Sequence, residues 1–336
     1  LADGAVIYCL ACSLWRGLVG TLGEASPLLF QESLPTMGRL LEHSQVSWEF
    51  VATGHSDLWQ PPPESLRRLA PPSDGVRPYA WVALPNVDVV SDADVARLSA
   101  YVRGGGLLVL IGAATGTLNE DLSPRTVPAF GGLEQEPGKG VVMRVPDAEF
   151  MAYKECGGFP EKCLAARESL WSKYFQSRHE SAAQVLVRGA PRSVWLNTWE
   201  YASGGTVAAH LVNYKTNGTL DCNMTVNQPQ SGPTECDCSC EVQPRDNSVR
   251  SVRVQAAFQV CLRSVTSNTS NRTVAWLYSP DHARVKLPID RARGFLCASV
   301  PAGMGVYAAV VWASCDAELQ ARAAAALTRK ALERLL

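Results

Sequence analysis

The stretch Tyr79-Ala-Trp-Val-Ala-Leu-Pro-Asn86 decides the fold of this chain, together with a second apolar run, Leu107-Leu-Val-Leu-Ile-Gly112. Both runs are short and almost uncharged, as expected of central parallel strands that are covered on both faces. Between them, Ser91-Asp-Ala-Asp94 offers N-cap oxygens to a helix whose apolar residues recur at helical spacing. Gly104-Gly-Gly106 then ends that helix and turns the chain back. This strand–helix–strand unit predicts a doubly wound α/β domain.

The same alternation of strands and helices extends over residues 1–185. A helix is predicted over Leu28–His43, in which Pro35 breaks or kinks the first turns. Residues Glu161–Arg178 are also predicted to be helical. The predicted strands are Ala5–Cys9, Ser47–Ala52, Ala80–Leu84, Leu107–Gly112 and Val141–Val145. We therefore predict an α/β fold with a flavodoxin-like doubly wound parallel sheet in this domain.

Over residues 186–315 the periodicity changes from helical to alternating. In Arg250–Leu262, the even-numbered positions from Val252 to Leu262 are apolar and are predicted to point one way. The other predicted strands are Ser193–Tyr201, Thr206–Tyr214, Thr273–Ser279, Ala283–Ile289 and Gly305–Trp312. This pattern predicts an antiparallel β-sandwich domain, interrupted by a Cys-rich insertion over residues 215–246. Residues 316–336 predict a C-terminal helix.

The bulk composition limits the classes of partner. With 336 residues, the chain is long enough for two domains that each have a core. The net charge is −1 and no basic stripe is present, so we expect no nucleic-acid partner. No segment contains the roughly 18–20 uninterrupted apolar residues that a membrane helix needs, so no membrane span is predicted. Because the chain begins at Leu1 and enters a strand almost at once, we expect a processed product or an excised segment.

Cysteines and glycosylation sequons point to the compartment. The sequence has 11 cysteines, and the disulfide candidates are Cys156, Cys163, Cys222, Cys236, Cys238, Cys240 and Cys261. Asn-x-Ser/Thr sequons begin at Asn217, Asn223, Asn268 and Asn271. Together they predict a secreted, extracellular glycoprotein with disulfide bonds. The alternative is a set of chance sequons with a cytosolic metal cluster. We predict no metal and no cofactor.

A set of short motifs carries a family resemblance that covers nearly the whole chain. The motifs are, in order, Gly54-His-Ser-Asp-Leu-Trp59, Ala83-Leu-Pro-Asn86, Ser91-Asp-Ala-Asp94, Gly104-Gly-Gly106, Gly116-Thr-Leu-Asn-Glu-Asp-Leu-Ser-Pro-Arg125, Gly138-Lys-Gly-Val-Val-Met-Arg-Val-Pro146, Thr198-Trp199 and His210-Leu-Val-Asn-Tyr214. In this order and spacing they resemble the region that follows the catalytic barrel in family 42 β-galactosidases and related glycosidase-like proteins. There, a β-galactosidase trimerisation domain with a class I glutamine-amidotransferase-like fold precedes a small β-sandwich.

The resemblance implies a role in assembly. In that family the α/β domain packs subunits into a trimer, and an upstream (β/α)₈ barrel supplies the catalytic carboxylates. That barrel is not within this chain. The partners implied are therefore further copies of the chain, as a homo-oligomer, or an upstream catalytic barrel, with glycans as ligands. The Cys-rich insertion departs from the family pattern.

An active amidotransferase of this fold needs a cysteine at the sharp turn after the strand that follows the glycine turn, with a His and a Glu nearby. Gly112 stands at that position, and Thr115, the nearest hydroxyl, lies several residues later. The pair His179-Glu180 is adjacent rather than spaced, and it is predicted to lie on a helix surface. We therefore predict no amidotransferase activity and no catalytic residue in this chain.

Cys9-Leu-Ala-Cys12 follows the first predicted strand with the spacing of a redox motif. A redox function needs Cys9 to be exposed at a helix N-terminus. The apolar surroundings favour a structural disulfide or buried thiols instead.

Glu120, Asp121 and Arg125 are the first candidates for binding carbohydrate. They follow a predicted strand, at the edge where open α/β sheets place ligands, and paired carboxylates there could bind sugar hydroxyls or a cation. The alternative is a solvated acidic loop with an Arg salt bridge, which is the commoner use of such a loop.

His55, Asp57 and Trp59 are the second candidates. The indole of Trp59 could stack on a sugar ring, and the alternative is that it packs on the core with its N–H bonded to a carbonyl. His210, inside a predicted strand, is expected to be a core or edge histidine rather than a ligand.

Three functional hypotheses follow from the sequence. The first is a non-catalytic accessory or assembly region of a secreted glycoside-hydrolase-like protein. The second is an extracellular carbohydrate-binding or cell-surface module, which Trp59→Ala or Trp199→Ala would disable. The third is a stand-alone hydrolase with Glu120 or Asp121 in its site.

Overall fold

The computed structural model describes residues 2–13, 30–53, 63–70, 77–133, 140–155, 163–200, 206–213, 253–263, 273–280, 282–292 and 294–314. The predicted insertion 215–246 and the predicted C-terminal helix 316–336 lie outside these residues. Within them, an α/β unit is followed by two antiparallel sheets. The α/β class of the first half and the antiparallel class of the second are thereby confirmed.

The first half is built on a parallel sheet of five strands in the order β2-β1-β3-β4-β5. The strands are β1 (Gly4–Cys9), β2 (Trp48–Thr53), β3 (Trp81–Pro85), β4 (Leu107–Ile111) and β5 (Val141–Val145). This is one of the two common orders of doubly wound sheets. From β1 the chain first adds β2 on one side of the sheet and then β3 to β5 on the other side. A crevice is therefore expected at the carboxyl ends of the neighbouring strands β1 and β3.

Helices cover both faces of this sheet. They are α1 (Phe30–His43), α2 (Pro63–Arg68), α3 (Asp92–Arg103), α4 (Asp147–Glu155), α5 (Leu164–Tyr174) and α6 (Gln176–Ala182). Successive residues of β3 belong to different cores: Val82 and Leu84 pack with α3, whereas Trp81 and Ala83 pack with α1, α4 and α5. The apolar, non-alternating sequence of the strand follows from this burial on both sides.

The N-cap serine and the glycines that are predicted to begin and end α3 do so in the structure. The Ser91 hydroxyl accepts a hydrogen bond from the Asp94 backbone N–H at 3.1 Å, which satisfies one of the free donors of the first turn. At the other end Gly105 has φ 107°, a conformation that favours glycine. A Cβ on Gly106 would lie 2.2 Å from the ring of Tyr101, so this turn needs glycine for space as well.

The second half packs two antiparallel sheets face to face. Their strands are β6 (Val185–Arg188), β7 (Val194–Glu200), β8 (Val207–Asn213), β9 (Phe258–Arg263), β10 (Thr273–Ser279), β11 (His282–Leu287), β12 (Ile289–Ala292), β13 (Phe295–Val300) and β14 (Tyr307–Ser314). One sheet has the order β11-β10-β14-β8-β7 and the other β12-β13-β9-β6. A single apolar cluster draws residues from both sheets, including Leu196, Val260 and Trp312.

Three predicted elements of the chain differ from the observed ones. The predicted helix Glu161–Arg178 is two helices, α5 and α6, because the backbone leaves helical geometry at Phe175 (φ −125°, ψ −40°). In the described residues 253–262 of the predicted strand Arg250–Leu262, the observed strand begins at Phe258, and Ala256 is exposed rather than inward-facing. Ala283–Ile289 is divided at Pro288 between β11 and β12, which belong to different sheets.

Polar contacts join the two halves. The Gln45 side chain, which follows α1, donates to the Pro191 carbonyl at 2.8 Å and the Val194 carbonyl at 3.2 Å. The buried carboxylate of Asp3 accepts from the Gln184 backbone N–H at 2.8 Å. The Thr198 hydroxyl of β7 donates to the Ser47 hydroxyl at 2.8 Å. These bonds satisfy buried polar groups on both sides, so the sandwich packs against the α/β unit through specific contacts.

Candidate functional site

The carboxyl edge of the parallel sheet is the first candidate site, because open α/β folds bind ligands there. Cys9 ends β1, Asn86 follows β3 and Gly112 follows β4. Asp147, the first residue of α4, comes soon after β5. These residues carry the chemistry that this edge can offer.

Gly112 occupies the sharp turn at which the amidotransferase resemblance needs a nucleophile. Its φ is +89°, and a Cβ at this position would lie 1.7 Å from Asn86 Oδ1 and 3.0 Å from Asp147 Oδ1. Its N–H donates to the Val145 carbonyl at 3.2 Å. The strained turn is therefore present, but the Asn86 amide fills the space that a nucleophilic side chain would occupy.

Two other polar side chains at this edge, those of Asn86 and Thr115, form hydrogen bonds within the fold. Asn86 is fully buried with φ 48°, and its amide donates to the Ser33 hydroxyl at 3.0 Å. The Thr115 hydroxyl, also fully buried, donates to the Ile111 carbonyl at 2.6 Å. Thr115 therefore holds the turn after β4 and does not face solvent as a nucleophile would.

Cys9 and Cys12 form a disulfide directly after β1. Both residues are 1% exposed, and the Cys12 N–H donates to Cys9 Sγ at 2.9 Å. The favoured interpretation, a structural disulfide, is confirmed by the bond and its burial. A redox function would need an exposed sulfur, which this pair does not present.

Glu120, Asp121 and Arg125 are close in sequence in the loop after β4. The Asp121 and Arg125 side chains, however, bond to different partners. The Asp121 carboxylate accepts from the Ser123 N–H at 3.0 Å and from the Ser123 hydroxyl at 2.6 Å. These bonds hold the pKa of the exposed Asp121 carboxyl below its usual value. Glu120 is exposed. The geometry fits the alternative of a solvated acidic loop, and carbohydrate binding here stays a prediction.

Arg125 has structural partners outside that pair of carboxylates. Its guanidinium donates to the Val90 carbonyl at 2.7 Å and to Asp92 Oδ1 at 2.8 Å. It therefore ties the loop to the start of α3, and the salt bridge expected for this loop is formed with Asp92.

The remaining predicted site residues fall partly outside the described part of the chain. Those outside are His55, Asp57, Trp59, the sequon residues Asn217, Asn223, Asn268 and Asn271, and the cysteines Cys156, Cys222, Cys236, Cys238 and Cys240. Of the other candidates, Cys163 is disulfide-bonded. Cys261 pairs with Cys297 across the neighbouring strands β9 and β13. Sequence reasoning missed Cys297 as a partner, because the strand that carries it was not predicted.

The predicted surface position of His179 is wrong. This histidine of α6 is 5% exposed, and burial lowers its pKa from the usual value. Its ring lies 5.3 Å from that of Trp171. Its neighbour Glu180, in contrast, is exposed. His179 therefore belongs to the packing between α6 and α5, whereas Glu180 faces solvent, so the two side chains do not form a catalytic arrangement.

The second candidate site is the outer face of the sandwich sheet with the order β11-β10-β14-β8-β7. His210 Nδ1 shares a hydrogen bond with the Tyr307 hydroxyl at 2.5 Å, and burial lowers the pKa of His210 to about 4. The ring of Trp199, 42% exposed, lies 6.2 Å from that of His210. Further along the same face, the guanidinium of Arg284 stacks on Trp276 at 3.7 Å from the ring centroid. This face thus presents aromatic rings together with a cation.

The described residues offer neither a metal site nor a membrane-spanning helix. No group of three or more His, Cys, Asp or Glu side chains there is arranged to hold a metal ion. None of the described helices has the length and apolarity that crossing a bilayer requires.

No protein-family model and no curated protein matches this chain. Among solved structures, it is similar to α-L-fucosidase isoenzyme 2 from Paenibacillus thiaminolyticus, with a TM-score of 0.50 and 13% identity over 94% of this chain and 49% of that one. Gan42B, a GH42 β-galactosidase from G. stearothermophilus, matches with a TM-score of 0.47 and 10% identity over 94% of this chain and 40% of that one. The β-galactosidase from Bacillus circulans sp. alkalophilus matches with a TM-score of 0.42 and 10% identity over 89% and 41%.

The chain spans about half the length of the fucosidase, of which it covers 49%. At 13% identity the likeness bears on the fold and not on the activity. The chain has a glycosidase-like fold, made of an α/β unit and a following β-sandwich.

Proposed function

We propose that this chain is the non-catalytic accessory and assembly region of a secreted glycoside-hydrolase-like protein. In this proposal the α/β unit takes the place of a β-galactosidase trimerisation domain with an amidotransferase-like fold. The similarity over 94% of this chain, but only 49% of a fucosidase, supports an accessory part of a larger glycosidase-like architecture. The buried disulfides Cys9–Cys12 and Cys261–Cys297 support an oxidising compartment.

The observation that carries the non-catalytic part is the closed turn at Gly112. A Cβ there would meet Asn86 Oδ1 at 1.7 Å, so the position that an amidotransferase-like fold uses for its nucleophile has no room for one. The fold is retained while its reactive position is filled. In this proposal the domain acts through its surface contacts rather than through catalysis.

Edge strand β2 offers a surface for assembly. Phe50 is 49% exposed on this strand, and its ring lies 4.8 Å from that of Trp48 and 6.3 Å from that of Tyr8. Strand β2 is the outermost strand of the parallel sheet. An exposed aromatic cluster on an edge strand is a surface that pairs readily with another chain. In this proposal a second copy of the chain docks there.

Sedimentation velocity tests the assembly part directly. We expect the wild-type chain to sediment as a homo-oligomer and Phe50→Asp to sediment as a monomer. Val127→Asp is the matched control, because Val127 is 64% exposed in a loop and the same charge is introduced. A wild-type chain that stays monomeric at high concentration would contradict self-assembly through β2.

Hydrolysis assays test the non-catalytic part. We expect no turnover of glutamine by the chain, since Thr115 is buried and Gly112 has no side chain. We expect no turnover of aryl glycosides either, since the proposal assigns to this chain no pair of catalytic carboxylates. Turnover that is lost in Glu120→Ala would instead establish the stand-alone hydrolase.

The exposed Trp199 ring favours the other alternative, glycan binding by the sandwich.

A further inference from the structure

We infer that the outer face of the sandwich beside edge strand β11 binds an anionic glycan, a polysaccharide that carries sulfate or carboxylate groups. Four side chains form this surface, which we name the basic–aromatic strip: Trp276 and Tyr278 of β10, and Arg284 and Lys286 of β11. The inference concerns the sandwich alone and does not depend on the assembly function proposed above.

The strip is ordered by the pairing of its two strands. Strands β10 and β11 are antiparallel, with Trp276 opposite Lys286. The Arg284 guanidinium lies 3.7 Å from the centroid of the Trp276 ring and 5.6 Å from that of Tyr278. A guanidinium stacked on an aromatic face lies above the ring and roughly parallel to it, which limits the rotation of the guanidinium. Arg284 therefore presents its N–H edge in a fixed orientation.

The two cations of the strip have no described counter-ion. Arg284 and Lys286 are exposed and are two positions apart on one strand, so their side chains emerge on the same side at about 7 Å spacing. Some surface cations of the described chain are paired, for example Lys154 with Glu32 and Lys173 with Glu149, whereas the exposed Arg253 forms no ion pair with a described residue. Among the described residues, neither cation of the strip forms a comparable ion pair. Within the described part of the chain, no acidic side chain therefore neutralises the charge of the strip.

The side chains of the basic–aromatic strip indicate which chemical class of ligand binds there. A fixed guanidinium edge binds sulfate or carboxylate through two parallel hydrogen bonds. The Tyr278 ring, half-buried beside it, leaves a surface for the apolar face of a sugar. Lys286 adds a second charge for the next anionic group along a chain. Because β11 is the outermost strand of its sheet, a polymer can lie across the strip without meeting another described strand.

The test is a binding titration of the full chain with dextran sulfate, using neutral dextran and poly-L-glutamate as comparison probes. Arg284→Gln removes the oriented charge, and Trp276→Leu removes the ring that orients it. Arg253→Gln is the matched control, since Arg253 is exposed on the sandwich and lies outside the strip. Thermal melts of each variant establish that it is folded.

We expect dextran sulfate to bind and neutral dextran not to bind. Arg284→Gln should weaken binding about ten-fold, as expected for loss of charge-assisted hydrogen bonds. Trp276→Leu should weaken it by a smaller factor, and Arg253→Gln by less than about two-fold. Equal losses in Arg284→Gln and Arg253→Gln would overturn the inference in favour of diffuse electrostatic attraction. Tighter binding of poly-L-glutamate would overturn it in favour of an acidic protein partner, and absence of dextran sulfate binding would overturn it outright.

Discussion

The carboxyl edge of the parallel sheet and the outer face of the sandwich hold their polar groups in opposite ways. At the edge, Asn86 and Thr115 are fully buried and bonded within the fold. On the sandwich face, Arg284 and Lys286 are exposed and carry charge without a described counter-ion. A side chain that is already bonded and buried is costly to redirect towards a ligand. The comparison indicates that Asn86 and Thr115 are held by contacts within the fold, whereas Arg284 and Lys286 can reach a ligand without breaking a described ion pair.

The largest expected effect is that of giving the edge a nucleophile. Gly112→Cys combines a positive φ with a Cβ that would overlap Asn86, so we expect the free energy of unfolding to fall by about 3–4 kcal/mol. Urea unfolding measures this, with Gly132→Ala as the control, because a Cβ on Gly132 meets nothing within 4 Å. We expect Asn86→Gly to recover part of the loss. A stable Gly112→Cys variant would mean that the edge is open.

The second prediction concerns pH and the sandwich face. Burial lowers the pKa of His210 to about 4, against 6.5 in the unfolded chain. Between these values the unfolded state binds the proton and the folded state does not, so stability is full above pH 6.5 and declines as the pH falls. Allowing for partial exposure, we expect a loss of about 2 kcal/mol by pH 4.5. Unfolding curves at several pH values measure it, and His210→Gln should flatten the profile. An unchanged profile in that variant would contradict the assignment to His210 and would point to other groups whose pKa is lowered in the fold, such as His179.

The third prediction separates structure from binding in the loop after β4. Arg125→Gln removes hydrogen bonds to the Val90 carbonyl and to Asp92, so we expect a loss of about 1–2 kcal/mol in the free energy of unfolding. We expect no change in dextran sulfate binding. If Arg125→Gln abolished glycan binding while leaving stability unchanged, the edge rather than the sandwich would be the site.

The smallest expected effect is on the stability of the sandwich face. Arg284→Gln removes an exposed cation and its contacts with the Trp276 and Tyr278 rings, so the free energy of unfolding of the variant should stay within about 0.5 kcal/mol of wild type. The same titration and melt data show whether function and stability separate at this position. A large destabilisation would mean that Arg284 is a structural clamp on Trp276.

The strand–helix–strand unit around α3 could be predicted because its signals are local. Ser91 caps the helix and Gly105 ends it, and both act within a few residues of their own position. Strand β13 was missed for a physical reason. Five of its six residues are buried, and they pack partly into the inter-sheet core and partly against the α6 side. Its sequence therefore does not alternate, although Gly294 and Pro301 bracket it.

The candidate sites could be predicted only in part, because they depend on contacts between distant residues. The sequence identifies Gly112 as lacking a nucleophile, but not that Asn86 fills its place, since two parallel strands bring these positions together. The Cys261–Cys297 disulfide depends on the register of β9 against β13. In the same way, Arg284 meets Trp276 only once β10 and β11 have paired.

Hydrogen exchange of the full chain with and without dextran sulfate compares the two regions in one experiment. We predict slower exchange in β10 and β11 when the polysaccharide is present, and unchanged exchange in residues 112–125. Slower exchange in residues 112–125, with no change in β10 and β11, would contradict the conclusion that the carboxyl edge is closed and that the sandwich face is the binding surface.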